Sequence, residues 1–249
     1  MSNALLTARN INKAFGDHQV IKGVDIDIEP GYITGIIGPN GAGKTTLVHL
    51  LTGHVLPDAG TVMMNGQDVT RLSPDARIRH RISRTFQLVD VFPGLTVFQN
   101  VQIACITRQG RNLRFLRSSG PESAADVERA LNEVGLWEYR DRKGAELSHG
   151  QQRRLELAVT LATEPQLCFL DEPTSGVSPQ ERDQMLTLIK TLAAKRETTF
   201  LLIEHDMEVV FGLCKRVVVM HHGQILADGT PDDIRNHPEV RDIYLGEEL

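Results

Sequence analysis

Apolar and β-branched residues crowd positions 5–11, 18–28 and 60–69, and Asn65-Gly66 within the last stretch is a strong hairpin signal. Residues 31–37, GYITGII, form a short apolar run of the kind found in buried strands. Beyond residue 95 the period changes. Segments 96–106, 122–134 and 149–163 place apolar side chains at helical spacing, as in Ala124, Val127, Leu131 and Val134. Two more apolar strands are expected at 167–170 and 199–203, with an amphipathic segment, 180–194, between them. A hairpin over 217–229 and a polar helical tail close the chain. The pattern predicts an α/β fold. It shows no internal repeat and no low-complexity linker.

Composition narrows the picture only a little. A chain of 249 residues buries a full core and suggests one large domain, or a domain with a sizeable insert. A formal net charge of −5 gives no global attraction to nucleic acid, so an anionic ligand must be captured locally. The first residues lack the apolar core of a secretion signal, and no run approaches the ~20 residues of a membrane span. Cys105, Cys168 and Cys214 are odd in number and far apart, which reads as small buried residues rather than metal ligands. These features together predict a cytoplasmic protein.

The strongest local signal is GPNGAGKT at 38–45, a match to G-x-x-x-x-G-K-[ST] placed directly after the strand expected at 31–37. Gly38, Gly41 and Gly43 let the backbone turn tightly and aim its amides inward. With Pro39, Asn40, Ala42 and Thr46 they frame an anion nest at the start of a helix. Lys44 is placed to reach β- and γ-phosphates, and the Thr45 hydroxyl to ligate Mg²⁺. A chance match is on the order of a one per cent event at average composition. The second signal is LCFLDEP at 167–173, where an apolar strand delivers two carboxylates at its C-terminal end. Asp171 is placed to hold Mg²⁺, and Glu172 to polarise an attacking water.

A third stretch, LSHGQQ at 147–152, opens a helix. Ser148 is a good N-cap and Gln151 completes a capping box. Gly150 is a poor helix former, tolerable only where something approaches its backbone closely.

These motifs, in this order and over essentially the whole chain, resemble the ATP-binding subunits of ABC transporters. LSHGQQRRLEL (147–157) is similar to that family's signature, Gln87 in RTFQLV to its Q-loop glutamine, His205 in LLIEHD to its switch histidine, and Phe15 in KAFG to the aromatic that stacks on adenine. Singly, Phe15 reads as core, His205 as a strand-end residue and Gln87 as solvated. Their common order around two phosphate motifs overturns that.

The resemblance implies a P-loop ATPase core with an antiparallel β subdomain, spanning about 1–84 and 165–249, and a helical signature subdomain over about 85–164. It also implies ATP and Mg²⁺ as cofactors, with Glu172, His205 and Gln87 catalytic and Thr45, Gln87 and Asp171 around the metal. Ser148, His149, Gly150 and Gln151 would face ATP held by a second subunit, so the chain should work as a homodimer or with a related ATPase. Two permease subunits and a periplasmic or extracellular solute-binding protein complete the implied system, at the cytoplasmic face of the membrane and without nucleic acid.

Two positions depart from the usual pattern. His149 stands where glycine is commonest, and Ser178 where many relatives carry the aspartate of the D-loop. SRTFQ (83–87), FPGLTVFQNV (92–101), IEHDM (203–207) and IYLGE (243–247) resemble the branch that imports branched-chain amino acids, which also serves urea, amides and aromatic acids. The nearest alternative is an ATPase of lipid or polysaccharide export. A small-molecule P-loop kinase has no use for the signature, and a DNA-repair ATPase of this type needs a long coiled-coil insert. Arginines crowd 71–84 and 108–117, which reads equally as a solvated surface or as attraction to membrane subunits and anionic headgroups.

Overall fold

A computed structural model describes residues 4–85, 91–108, 121–195 and 197–245. Near the N-terminus, β1 (Leu6–Phe15) and β2 (His18–Ile28) pair antiparallel. On the other side of β1 lies β4 (Ala59–Met64), followed by the short β5 (Gln67–Asp68), giving the order β2-β1-β4-β5. Asn65 and Gly66 make the β4–β5 turn with φ of 50° and 75°, the left-handed pair that selects Asn-Gly.

The second sheet contains β3 (Ile33–Ile37), β6 (Ile82–Arg84), β7 (Leu167–Asp171), β8 (Thr199–Ile203), β9 (Arg216–His221) and β10 (Gln224–Gly229) in the order β10-β9-β3-β8-β7-β6. All its pairings are parallel except β9–β10 at the edge. Every residue of β3, β7 and β8 is buried, which is why these strands read as continuous apolar runs.

Alternate residues feed two cores. Leu167 and Phe169 of β7 and Leu201 of β8 join β1, β2, β4 and α1 (Lys44–Thr52) on one face. Cys168 and Leu170, with Phe200 and Leu202, join the helices on the other. Those are α3 (Val97–Arg108), α4 (Pro121–Glu133), α5 (His149–Leu161) and α6 (Pro179–Ala194). The helical middle therefore shares its core with the parallel sheet. Short elements escaped the sequence pattern: α2 (Pro74–Arg79), β6 and α7 (Met207–Leu213) hold too few residues to display a period. Two small helices, α8 (Pro231–Arg235) and α9 (Pro238–Leu245), form the tail. At the β9–β10 turn, the Gly223 amide donates to Ala42 O at 3.0 Å and its carbonyl accepts from Lys22 N at 2.9 Å.

The arginine-rich run is only partly a surface. Arg77 is fully buried and donates to the carbonyls of Leu50, Leu51, Thr70 and Leu72, capping the C-terminal end of α1 with a cation. Burial pushes its pKa down to about 10. The Arg84 side chain is also buried, in an ion pair described below, whereas Arg71, Arg79 and Arg81 are exposed. Arg108 pairs with Asp126 and Glu164, and Arg111, Arg114 and Arg117 lie outside the described residues. All three cysteines are buried and free, and desolvation raises the Cys105 thiol to about 11 and Cys214 to about 12. No helix among the described residues is long and apolar enough to cross a membrane.

Candidate active site

The loop between β3 and α1 follows from its glycines. Gly38 has φ 153°, and a Cβ there would lie 2.2 Å from the Met220 carbonyl oxygen, so no other residue fits. Ala42 N donates to Pro39 O at 3.2 Å, and Leu47 N to Gly43 O at 2.8 Å as α1 begins. The N-cap, Gly43, supplies no side-chain acceptor, and the first turn of α1 carries no acid. Its amides and the positive end of the helix are thus left for an external anion. Lys44 is buried, and its Nζ donates to Gly38 O at 2.6 Å and Pro39 O at 3.0 Å, which holds the ammonium against the loop.

The loop opens on a cleft of about 350 Å³ lined by Asn40, Gly41, Ala42, Gly43, Lys44, Thr45 and Thr46 together with Val20, Glu172, Ile203 and His205. Glu172 follows β7 with a left-handed φ of 47°, a conformation costing about 1–3 kcal/mol in a non-glycine residue. Its amide donates to Ile203 O at 2.9 Å. Its Oε1 lies 3.0 Å from His205 Nε2, and the histidine side chain is half exposed to the cleft. The adjacent Glu204 is buried and accepts from Thr174 Oγ1 at 2.6 Å.

Asp171 does not line this cleft. Its carboxylate is buried, with Oδ2 2.5 Å from Arg84 Nη2, while Oδ1 has no hydrogen-bond partner among the described residues. A buried carboxylate oxygen without a partner is costly, and its chemistry suits a hard cation. No group of three or more His, Cys, Asp or Glu residues capable of holding a metal occurs among the described residues.

Gln87 lies outside the described residues. Phe15, at the end of β1, is 51% exposed and does not line the cleft. Lys13 Nζ stands 5.5 Å from its ring centroid, and the exposed ring agrees with setting aside the reading of Phe15 as core.

Ser148 caps α5 as the sequence predicts, accepting from Gln151 N at 3.2 Å while Gln151 Oε1 accepts from Ser148 N at 3.0 Å. None of Ser148, His149, Gly150 and Gln151 lines the cleft of the chain's own loop. His149 turns toward the loop after β7, its Cε1 3.2 Å from where a Cβ on Gly176 would sit. Ser178 caps α6 in a second capping box, with Glu181. Two residues at the site were missed from sequence. Glu181 carried a usable signal, the S-x-x-E spacing of 178–181. Arg84 carried none, since a charge in a three-residue strand looks like surface.

A phosphate loop between a buried parallel strand and a helix, with two carboxylates ending a nearby strand, defines a P-loop nucleoside triphosphatase. The chain belongs to the ABC transporter family and is an ATP-binding ATPase subunit: the ABC transporter family model matches residues 21–175, and that of the branched-chain amino acid ATP-binding cassette transporter matches 224–249. It is 37% identical over 256 residues to the high-affinity branched-chain amino acid transport ATP-binding protein BraF of Pseudomonas aeruginosa, covering 99% of this chain and 100% of that protein. Identity to LivG of Escherichia coli (strain K12), a protein of the same description, is 38% over 258 residues with the same coverage. The crystal structure of the ADP conformation of MJ1267, an ATP-binding cassette of an ABC transporter, superimposes with a TM-score of 0.88 at 33% identity, covering 98% of this chain and 100% of that one.

Proposed function

We propose that this subunit hydrolyses MgATP to power import of branched-chain amino acids or a related amino acid, amide or organic acid. It works at the cytoplasmic face of the membrane, with two permease subunits and a periplasmic or extracellular solute-binding protein. The match of residues 224–249 to the branched-chain model favours import over lipid or polysaccharide export.

The carrying observation is that a fully formed, capped helix start at Ser148–Gln151 stands away from the chain's own nucleotide cleft. Such an end attracts anions. In a head-to-tail pair, formed with a second copy or a related ATPase, it meets the γ-phosphate held by the other subunit's loop. Lys44 and the α1 amides hold the phosphates of the chain's own ATP, and Phe15 stacks on its adenine. Thr45, Asp171 and Gln87 would hold Mg²⁺, which would supply neutralisation of phosphate charge. Glu172 takes a proton from the attacking water, and His205, bonded to Glu172, orients that carboxylate.

The test is uptake of radiolabelled leucine by proteoliposomes carrying the complex purified with this subunit from native membranes. ATP-dependent uptake that vanishes with Glu172→Gln is expected. Co-purification with a lipid or polysaccharide exporter would replace the import reading.

A further inference from the structure

The start of α5 already holds an anion, and it comes from the same chain. Glu181, in the first turn of α6, accepts from the Ser148 hydroxyl at 3.0 Å through Oε1. Its Oε2 accepts from the Ser178 hydroxyl at 3.0 Å and the Ser178 amide at 3.3 Å. The Gly150 amide donates to the same carboxylate, and these donors together hold the Glu181 carboxyl below the usual range. A Cβ at position 150 would lie 2.5 Å from Glu181 Oε1, so the glycine leaves the room in which the carboxylate sits. Capping α6 calls only for the Ser178 bonds. The reach to Ser148 and Gly150 goes beyond a cap.

We propose that Glu181 is a positioning residue of the shared ATP site, its carboxylate seated in the lone subunit on the Ser148 hydroxyl and Gly150 amide that the partner's γ-phosphate takes when the pair closes. This deepens, and rests on, the shared-site reading above. Two anions do not share one helix start, so closure requires Glu181 to leave. A γ-phosphate carries more charge than a carboxylate and displaces it; ADP brings no group to that position. The displacement is felt elsewhere. Arg182, the next residue, pairs with Asp206 at 2.6 Å, one position beyond His205. The segment anchored by Glu181 is thereby tied to the histidine of the cleft.

The test uses the full chain carrying Glu172→Gln, alone and with the ATPase subunit that co-purifies with it, titrated with ATP or ADP and followed by light scattering. Adding Glu181→Gln keeps the size and the acceptor for Ser178 but removes the charge. The ATP concentration for half-dimerisation is expected to fall about tenfold, the scale of one charge-assisted bond, with ADP still giving monomers. Glu181→Asp, too short to span both helices, should shift it the same way. Hydrogen exchange at the Gly150 amide should quicken in both variants without nucleotide. A midpoint unchanged or raised by both variants overturns the role of Glu181 alone, provided Ser148→Arg, which puts a bulky side chain where the partner's γ-phosphate would sit, abolishes the dimer. A background chain that never dimerises with ATP in either setting overturns the shared site and this proposal with it.

Discussion

His205 Nε2 lies 3.0 Å from Glu172 Oε1, which joins the ends of two adjacent parallel strands, β8 and β7, across the mouth of the nucleotide cleft. Glu172 is held in a left-handed conformation there, and its amide is anchored on Ile203. Glu172→Gln should lower kcat of the assembled complex by about 10²–10⁴-fold with ATP binding retained, the usual contribution of a general base. His205→Ala should also lower kcat. If the histidine acts through Glu172, the double variant is no slower than Glu172→Gln alone, which steady-state kinetics on the three proteins decides.

Lys44 lies against its own loop, ready to contact phosphates. Saturating the parent with MgATP at a hundred times its Kd should stabilise it by about 2.7 kcal/mol. In Lys44→Ala the thermal upshift should largely disappear. An equal upshift in both proteins would remove Lys44 from the site.

Arg84 is the counter-charge of a fully buried Asp171. Arg84→Ala strands that carboxylate and should cost about 3–5 kcal/mol, read as a lower denaturant midpoint at unchanged slope. Pairing Arg84→Met with Asp171→Asn removes both charges and should recover most of the loss. Arg79→Ala, on the exposed side of the same run, should stay within about 0.5 kcal/mol of the parent.

Glu204 supplies a pH signature. Burial raises its carboxyl pKa above the ordinary 4.5. The folded state therefore keeps a proton that the unfolded chain has already released, and stability falls as pH rises from about 4.5 through the folded-state value. Glu204→Gln is neutral throughout and retains an acceptor for Thr174. Denaturant titrations between pH 4 and 8 should show the variant gaining on the parent from about pH 4.5 upward and leading it at neutral pH. A constant gap across that range would contradict the assignment.

The sequence exposes whatever repeats along a line. The buried runs 31–37, 167–170 and 199–203, the α5 capping box and the phosphate loop all show as local pattern, because each is built from neighbours in the chain. β6 and α7 are too short for a period and, unlike β3, β7 and β8, are not buried along their whole length, so neither shows as a run. Long-range partnerships were invisible. Arg77 and Arg84 share a basic run with exposed arginines, and only the tertiary fold sends one under α1 and the other to Asp171. Gly150 raised the right question, and the single-subunit half of its answer, Glu181, stood thirty-one positions further on in a capping box of its own.

The turn at Gly223 couples parts that the sheet diagram keeps separate, gripping Ala42 of the phosphate loop with its amide and Lys22 of β2 with its carbonyl. The wall that carries Phe15 and the floor that carries Lys44 are thereby clamped into a single jaw. A shift of the phosphate loop is therefore passed through one turn to β2 and, by strand pairing, to β1.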